Sequence, residues 1–208
     1  MLKACDDYHV PVLFEECMEA LDIKKDGIYV DCTAGGGGHS SGILDRLSSK
    51  GMLISLDKDD EALSRCEQRR EKYSDKNWEL IKSDFSKIDE VITELNLEKV
   101  DGILADFGVS SHQIDTAERG FSYAVDGPLD MRMDEQQRLS ASTVVNTYSK
   151  EELVRIFREY GEERFSGRIA DGIVRDRARE PFVSTKQLAS KIASYVPSKA
   201  RNEDQHPA

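Results

Sequence analysis

The sequence lacks the marks of several protein classes. Its 208 residues contain four cysteines, Cys5, Cys17, Cys32 and Cys66, with no C-x-x-C pair and no histidine cluster beside them. Neither a disulfide framework nor a zinc site is signalled, and the thiols are read as reduced. No stretch of about 18 consecutive apolar residues occurs, so no transmembrane helix is expected and no membrane partner. Met1 to Val10 carry Asp6, Asp7 and His9 where a secretory signal needs an unbroken apolar stretch, and the expected compartment is the cytoplasm. Basic residues are outnumbered, 29 Lys and Arg against 40 Asp and Glu, for a formal net charge of −11. That balance opposes long-range attraction to a polyanion, so an RNA ligand requires a local basic face. Internal repeats and low-complexity stretches are also absent.

What is present is an alternation of strands and helices. Ile28 to Cys32, Met52 to Asp57 and Val100 to Asp106 read as buried parallel strands, with Trp78 to Lys82 as a further strand between the last two. Helical spacing follows in Ser40 to Leu47, in Asp59 to Tyr73 with Asp59 or Asp60 as N-cap, and through Ile88, Val91, Ile92 and Leu95. This order predicts an α/β fold, a doubly wound and mostly parallel sheet with helices on both faces.

From Gly108 to Asp134 the chain is rich in Gly, Ser, Asp and Arg with no apolar period, and reads as a long irregular segment of the kind that carries function. Beyond it only helices are legible: one from Ser149, with Glu152 at the capping-box position, to about Tyr160, then Gly161 to Arg179 and Ser184 to Val196. Pro181 and Pro197 punctuate the ends, and Pro197 to Ala208 reads as a loose polar tail. The expected domains are residues 1–115, the ligand-binding sheet, and 116–208, a helical substrate-recognition insertion.

The strongest chemical signal is Asp31-Cys32-Thr33-Ala34-Gly35-Gly36-Gly37-Gly38-His39-Ser40, between the first strand and the next helix. Glycines there let a ligand approach the backbone, and the helix N-terminus offers N–H groups to a nucleotide-like ligand. The dinucleotide fingerprint G-x-G-x-x-G fits imperfectly, because counting from Gly35 its last position is Ser40. Asp57 ends the second strand 19 residues after Gly38, near the spacing at which a carboxylate takes ribose hydroxyls; the plainer reading is a strand-end carboxylate that caps the next helix. Phe85 lies beside the adenine position, where its ring stacks or closes the pocket, though an aromatic there is also ordinary core. Asp106 ends the fourth strand at the carboxyl edge of the sheet, where its carboxylate can accept from an amine.

Together, Tyr29-Val30-Asp31-x-Thr33-x-Gly35-x-Gly37-Gly38-His39-Ser40, Asp101-Gly102-Ile103-Leu104-x-Asp106-x-Gly108-Val109-Ser110-Ser111 and Glu118-Arg119-Gly120-Phe121-Ser122 closely resemble the ribosomal RNA small subunit methyltransferase H family. Gly127 to Asp134 and Tyr160 to Phe165 extend the likeness, which runs from about His9 to the last residue. The resemblance implies a Rossmann-like class I methyltransferase that moves a methyl group from S-adenosyl-L-methionine to the exocyclic 4-amino group of a cytidine in the decoding region of 16S rRNA, within the small ribosomal subunit. It implies cofactor contacts at Gly37, Gly38, His39, Asp57, Phe85, Asp106 and Gln113, with Asp106 nearest the chemistry. Asp130 and Asp134 lack a third ligand, so no metal is expected. For RNA, Arg164, Arg168, Arg175, Arg177 and Arg179 form a basic concentration whose alternative is a solvated face paired with Glu162, Glu163 and Asp171, and Arg119 and Arg132 are further candidates.

Cys32, Ala34, Phe107 and His112 depart from the commonest family residues, His112 standing where proline is usual. Family members also continue past Ala208, so the C-terminal strands of the sheet are expected to be missing and the fourth strand to keep an unpaired apolar edge. Poor solubility, self-association, for instance as a homodimer, or partial unfolding is the expected result. The rival expectation is a non-catalytic fragment that keeps only cofactor or partner binding.

Overall fold

The computed structural model describes residues 11–197; the expectations for Met1 to Val10, for Cys5 and for the tail after Pro197 lie outside the described residues. The chain divides into two compact units, the first reaching to Ser110 and the second beginning at Ser111.

In the first unit a four-stranded parallel sheet has the order β3-β2-β1-β4, with β1 Ile28–Asp31, β2 Met52–Asp57, β3 Asn77–Lys82 and β4 Gly102–Leu104. Side chains alternate across it, as the period of a strand requires. Tyr29 and Leu53 are opposite each other in register and face one core, with Trp78, Ile43 and Leu44. Val30 and Ile54, the next pair, face the other, with Leu56 and Val91. Helices α1 (Phe14–Leu21), α2 (Gly38–Arg46) and α3 (Asp60–Arg70) contribute to the first core and α4 (Ile88–Glu94) to the second, so the sheet is doubly wound. After β3 the chain returns to place β4 beside β1, which makes the gap between the carboxyl ends of β1 and β4 the topological switch point.

The elements follow local chemistry. Asp59 caps α3 by accepting from the Glu61 N–H at 3.0 Å, and that helix gives way at Glu71–Tyr73 to a single 3-10 turn. The fourth strand is shorter than Val100 to Asp106. Its ladder ends where Cys32 N–H donates to the Leu104 carbonyl, and the Asp106 N–H turns instead to the Thr33 side chain. Helix α1 carries no capping side chain and was not expected from the sequence. β4 ends the strand order, with Ile103 53% exposed.

The second unit holds α5 (Ser111–Asp115) and four helices, α6 (Ala141–Thr147), α7 (Lys150–Glu159), α8 (Ser166–Arg177) and α9 (Thr185–Tyr195), whose core is Leu129, Val145, Leu153, Ile169, Ile173, Phe182 and Ile192. The Ser149–Glu152 capping box of α7 is present in both directions. The helix expected from Gly161 begins only at Ser166, because Glu162 takes a left-handed conformation and the Glu163 N–H closes back on the Phe157 carbonyl. Within the irregular segment, residues 126–129 lie along 183–186: Leu129 N–H donates to Val183 O and Thr185 N–H to Gly127 O. No helix among the described residues is long and apolar enough to cross a membrane.

Candidate functional site

Four loops leave the carboxyl ends of the strands in the first unit, and a closed circuit of contacts joins them. From β1, Thr33 Oγ1 accepts the Asp106 N–H at 2.8 Å, which bridges the switch point to the end of β4. Two residues further on, the Gly35 N–H donates to Asp57 Oδ2 at 2.9 Å and binds the glycine loop to the end of β2. Lys58 Nζ then meets Asp84 Oδ2 at 3.3 Å, reaching the end of β3. The Phe85 ring lies 5.1 Å, centroid to centroid, from the Phe107 ring, and Phe107 follows Asp106 in the chain. Gly37, Gly38, His39, Asp57, Phe85 and Asp106 therefore share one edge of the sheet.

The glycine loop is open on one side and packed on the other. Gly37, the residue before α2, has φ +76°, a left-handed conformation that glycine adopts without penalty. A Cβ on Gly35 would find nothing nearer than the Thr33 carbonyl at 3.8 Å, so that face of the loop opens to space. The opposite side is packed: a Cβ on Gly37 would lie 3.0 Å from Arg69 Cδ and 3.2 Å from Cys66 Sγ. Cys66 is buried there, its thiol pushed up to about 12 by desolvation, and Cys17, Cys32 and Cys66 are all free. The first N–H groups of α2 have no acceptor within the helix and carry its positive partial charge.

Each expected site residue has a definite place. Asp57 is partly buried and accepts from Gly35 N–H and from Asp59 N–H at 2.9 Å each, using one oxygen for each. Its role in capping the following turn and its position at the loop are thus both real, and the carboxylate keeps lone pairs for further donors. Burial raises its pKa, and the two backbone N–H groups act against that. Asp106 is exposed, and among the described residues its carboxylate meets no donor. The His39 side chain is buried, with Nε2 3.1 Å from the Val12 carbonyl and its ring stacked near Phe14. Gln113 belongs to the second unit, buried in α5.

Beneath the loop lies a polar chain that sequence reading did not find. Trp78 Nε1 donates to Ser55 Oγ at 2.9 Å, the Ser55 and Ser40 hydroxyls are 2.8 Å apart, and Ser40 Oγ donates to Asp31 Oδ2 at 2.6 Å. Ser40 has one hydrogen and gives it to an acceptor-only carboxylate, so Ser55 is the donor to Ser40. Asp31 Oδ1 accepts the Thr33 N–H at 3.1 Å, which joins this buried chain to the residue that holds Asp106.

The arginines considered for RNA divide differently from the expectation. Arg119 is only 5% exposed and donates to the Arg132 and Met133 carbonyls at 3.0 Å. Arg132 is spent on Asp130, with bonds of 2.8 and 2.7 Å, and on the Glu135 and Gln137 carbonyls. Both organise the irregular segment and neither presents a free guanidinium to phosphate. Arg177 donates to the Val145 and Tyr148 carbonyls, closing the C-terminal end of α6. Arg175 pairs with Asp176, Asp171 pairs with Lys150, and Arg164 stands over the Phe165 ring. Arg168 and Arg179 are exposed, with no side-chain partner among the described residues.

In sequence, the chain is similar to proteins named ribosomal RNA small subunit methyltransferase H. The chain is 49% identical over 200 residues to the ribosomal RNA small subunit methyltransferase H of Clostridium botulinum (strain Loch Maree / Type A3), covering 96% of this chain and 64% of that protein. The protein of the same name from Fusobacterium nucleatum subsp. nucleatum is 49% identical over 208 residues, covering 100% and 65%, and that of Caldicellulosiruptor bescii is 51% identical over 200 residues, covering 96% and 64%. The chain therefore spans just under two thirds of the length of these relatives. The description "MraW methylase family" fits residues 6–208, and the chain belongs to that family.

Proposed function

We propose that this chain binds S-adenosyl-L-methionine at the carboxyl edge of its sheet and serves methylation of the 4-amino group of a cytidine in the 16S rRNA of the small ribosomal subunit. The observation that carries the reading is the circuit of contacts that gathers the glycine loop, Asp57, Phe85 and Asp106 around one open face in a member of a methylase family. The fit to the cofactor is chemical. N–H groups at the start of α2 suit a carboxylate, the Asp57 carboxylate suits vicinal hydroxyls, and Phe85 suits a purine face. When bound, the cofactor supplies an electrophilic methyl group.

The residues of the chain then have separate tasks. Gly37, Gly38 and the His39 N–H hold the amino-acid end, Asp57 the ribose and Phe85 the adenine, and Gln113 is the further cofactor contact that the resemblance implies. The exocyclic amine of a cytosine is a poor nucleophile because its lone pair is delocalised, so it must be held in line with the methyl group. Asp106, exposed and held by its backbone to Thr33, accepts a hydrogen bond from that amine and orients it. The base reaches the edge by leaving its stack, and Arg168 and Arg179 are the side chains best placed to accept phosphates without breaking other bonds.

The test is transfer of a labelled methyl group from the cofactor to purified small-subunit particles. Label in the rRNA, recovered as an N4-methylated cytidine, is the expected result. Asp106→Ala should lower turnover by about 100-fold or more while changing cofactor affinity only a few-fold. Label on another base overturns the substrate assignment. Binding of the cofactor with no transfer favours the second reading, a cofactor-holding portion of a longer enzyme, which the length of the relatives supports.

A further inference from the structure

The contact between Phe85 and Phe107 spans an unusual distance. Phe85 follows the end of β3 and Phe107 the end of β4, and these are the two outer strands of the order β3-β2-β1-β4. Adjacent strands are about 4.8 Å apart, so the strand ends are separated by roughly 14 Å. The rings meet at 5.1 Å, tilted 58°, so the two side chains together bridge the span across the ends of β1 and β2, the strands that carry the glycine loop and Asp57. Both rings remain substantially exposed, Phe85 at 40% and Phe107 at 70%, so the contact is a roof over the edge and not part of a core.

The two partners are held differently. Phe85 opens a 3-10 turn whose start is fixed by Asp84, which accepts from the Ser86 N–H at 3.0 Å and pairs with Lys58. Phe107 is followed by Gly108, at φ +150°, where a built Cβ would meet nothing within 4 Å. A glycine in open space leaves the Phe107 side of the roof free to swing about it.

We propose that Phe107 is a cofactor-binding residue: it swings away from Phe85 and takes the second face of the adenine, so that the purine sits between the two rings. The inference rests on the cofactor reading above. Two stacking distances of about 3.5 Å need roughly 7 Å between the ring planes, so the present pair must part by a small hinge motion at Gly108. Closed, the rings occupy the purine position; open, they supply two aromatic faces and shield the ribose and Asp57 from water. An aromatic at 107 gives this chain a stacking face that an aliphatic residue there does not provide.

Equilibrium dialysis of S-adenosylhomocysteine against the full chain and its Phe107→Ala, Phe107→Leu and Phe107→Trp variants tests the proposal. Base stacking on an aromatic is worth about 1–3 kcal/mol, so Phe107→Ala should weaken binding about tenfold or more, Phe107→Leu by an intermediate factor, and Phe107→Trp little. Because Phe107 is exposed, unchanged circular dichroism is expected in all three. Binding by the Ala variant equal to that of the unaltered chain overturns the proposal and leaves the cofactor reading standing. Absence of binding by the unaltered chain overturns both.

Discussion

Gly127→Ala should destabilise the helical unit by on the order of 3 kcal/mol and lower the midpoint of its unfolding, followed by circular dichroism. A Cβ on Gly127 would stand 1.9 Å from the Ala117 carbonyl oxygen and 2.8 Å from its carbon, both backbone atoms that no rotamer change can move. The obstacle is tied down on each side. Ala117 begins the turn that ends at Arg119, whose guanidinium grips the Arg132 and Met133 carbonyls, and Gly127 itself is bonded to Thr185 through both its N–H and its carbonyl. The methyl group must break one of these attachments. Gly167→Ala is the matched control, since a Cβ there meets nothing within 4 Å and lies in α8; it should be stabilising by up to about 1 kcal/mol. Equal midpoints for the two variants would contradict the account of the irregular segment.

Asp31→Ala should cost about 3 kcal/mol in the first unit, whereas Asp31→Asn should stay within about 1 kcal/mol of the unaltered chain. Alanine leaves the Ser40 hydroxyl and the Thr33 N–H without their acceptor in a fully buried place. Asparagine keeps both contacts, its carbonyl accepting from Thr33 and its amide donating to Ser40, and a single hydroxyl hydrogen of the Ser40–Ser55 pair loses its acceptor. Urea unfolding read by Trp78, the single tryptophan and the far end of this chain of bonds, measures both variants. The pH dependence has a definite sign. Burial raises the Asp31 pKa in the folded state above its unfolded value, against the pull of Ser40 and Thr33. The folded chain thus binds this proton more readily, and its stability gains as pH falls from above the raised value towards the unfolded value. Asp31→Asn should flatten that part of the profile, while Asp57, shifted in the same direction, keeps its own share.

Much of the sheet was legible because buried parallel strands are largely apolar runs, and Ile28 to Val30 and Met52 to Leu56 are of that kind, while the edge strand β3 is marked by Trp78, its one buried residue. The positions of the glycine loop and Asp57 were legible because each lies at the end of a strand that reads as an apolar run. The circuit that joins them was not. Thr33 to Asp106 and Phe85 to Phe107 are contacts between distant positions, set by strand order and register, and nothing local in the sequence encodes them. Phe107 was visible only as a departure from the family's usual residue. Helix α6 was missed because Thr143, Val144 and Val145 are β-branched, and what secures the helix is Ser140 at its start and Arg177 at its end. Arg119 and Arg132 were candidates for RNA contact because an arginine in an irregular segment looks free until the carbonyls around it are located.

Calorimetric titration of S-adenosyl-L-methionine into the purified 208-residue chain, beside its Asp57→Ala variant, is the most direct test of the central claim. The account predicts saturable one-site binding to the unaltered chain and a loss of roughly 100-fold or more in the variant, which removes the ribose acceptor together with the anchor of the Gly35 N–H. No heat of binding from a chain whose circular dichroism shows it folded, or equal binding by both proteins, would contradict it.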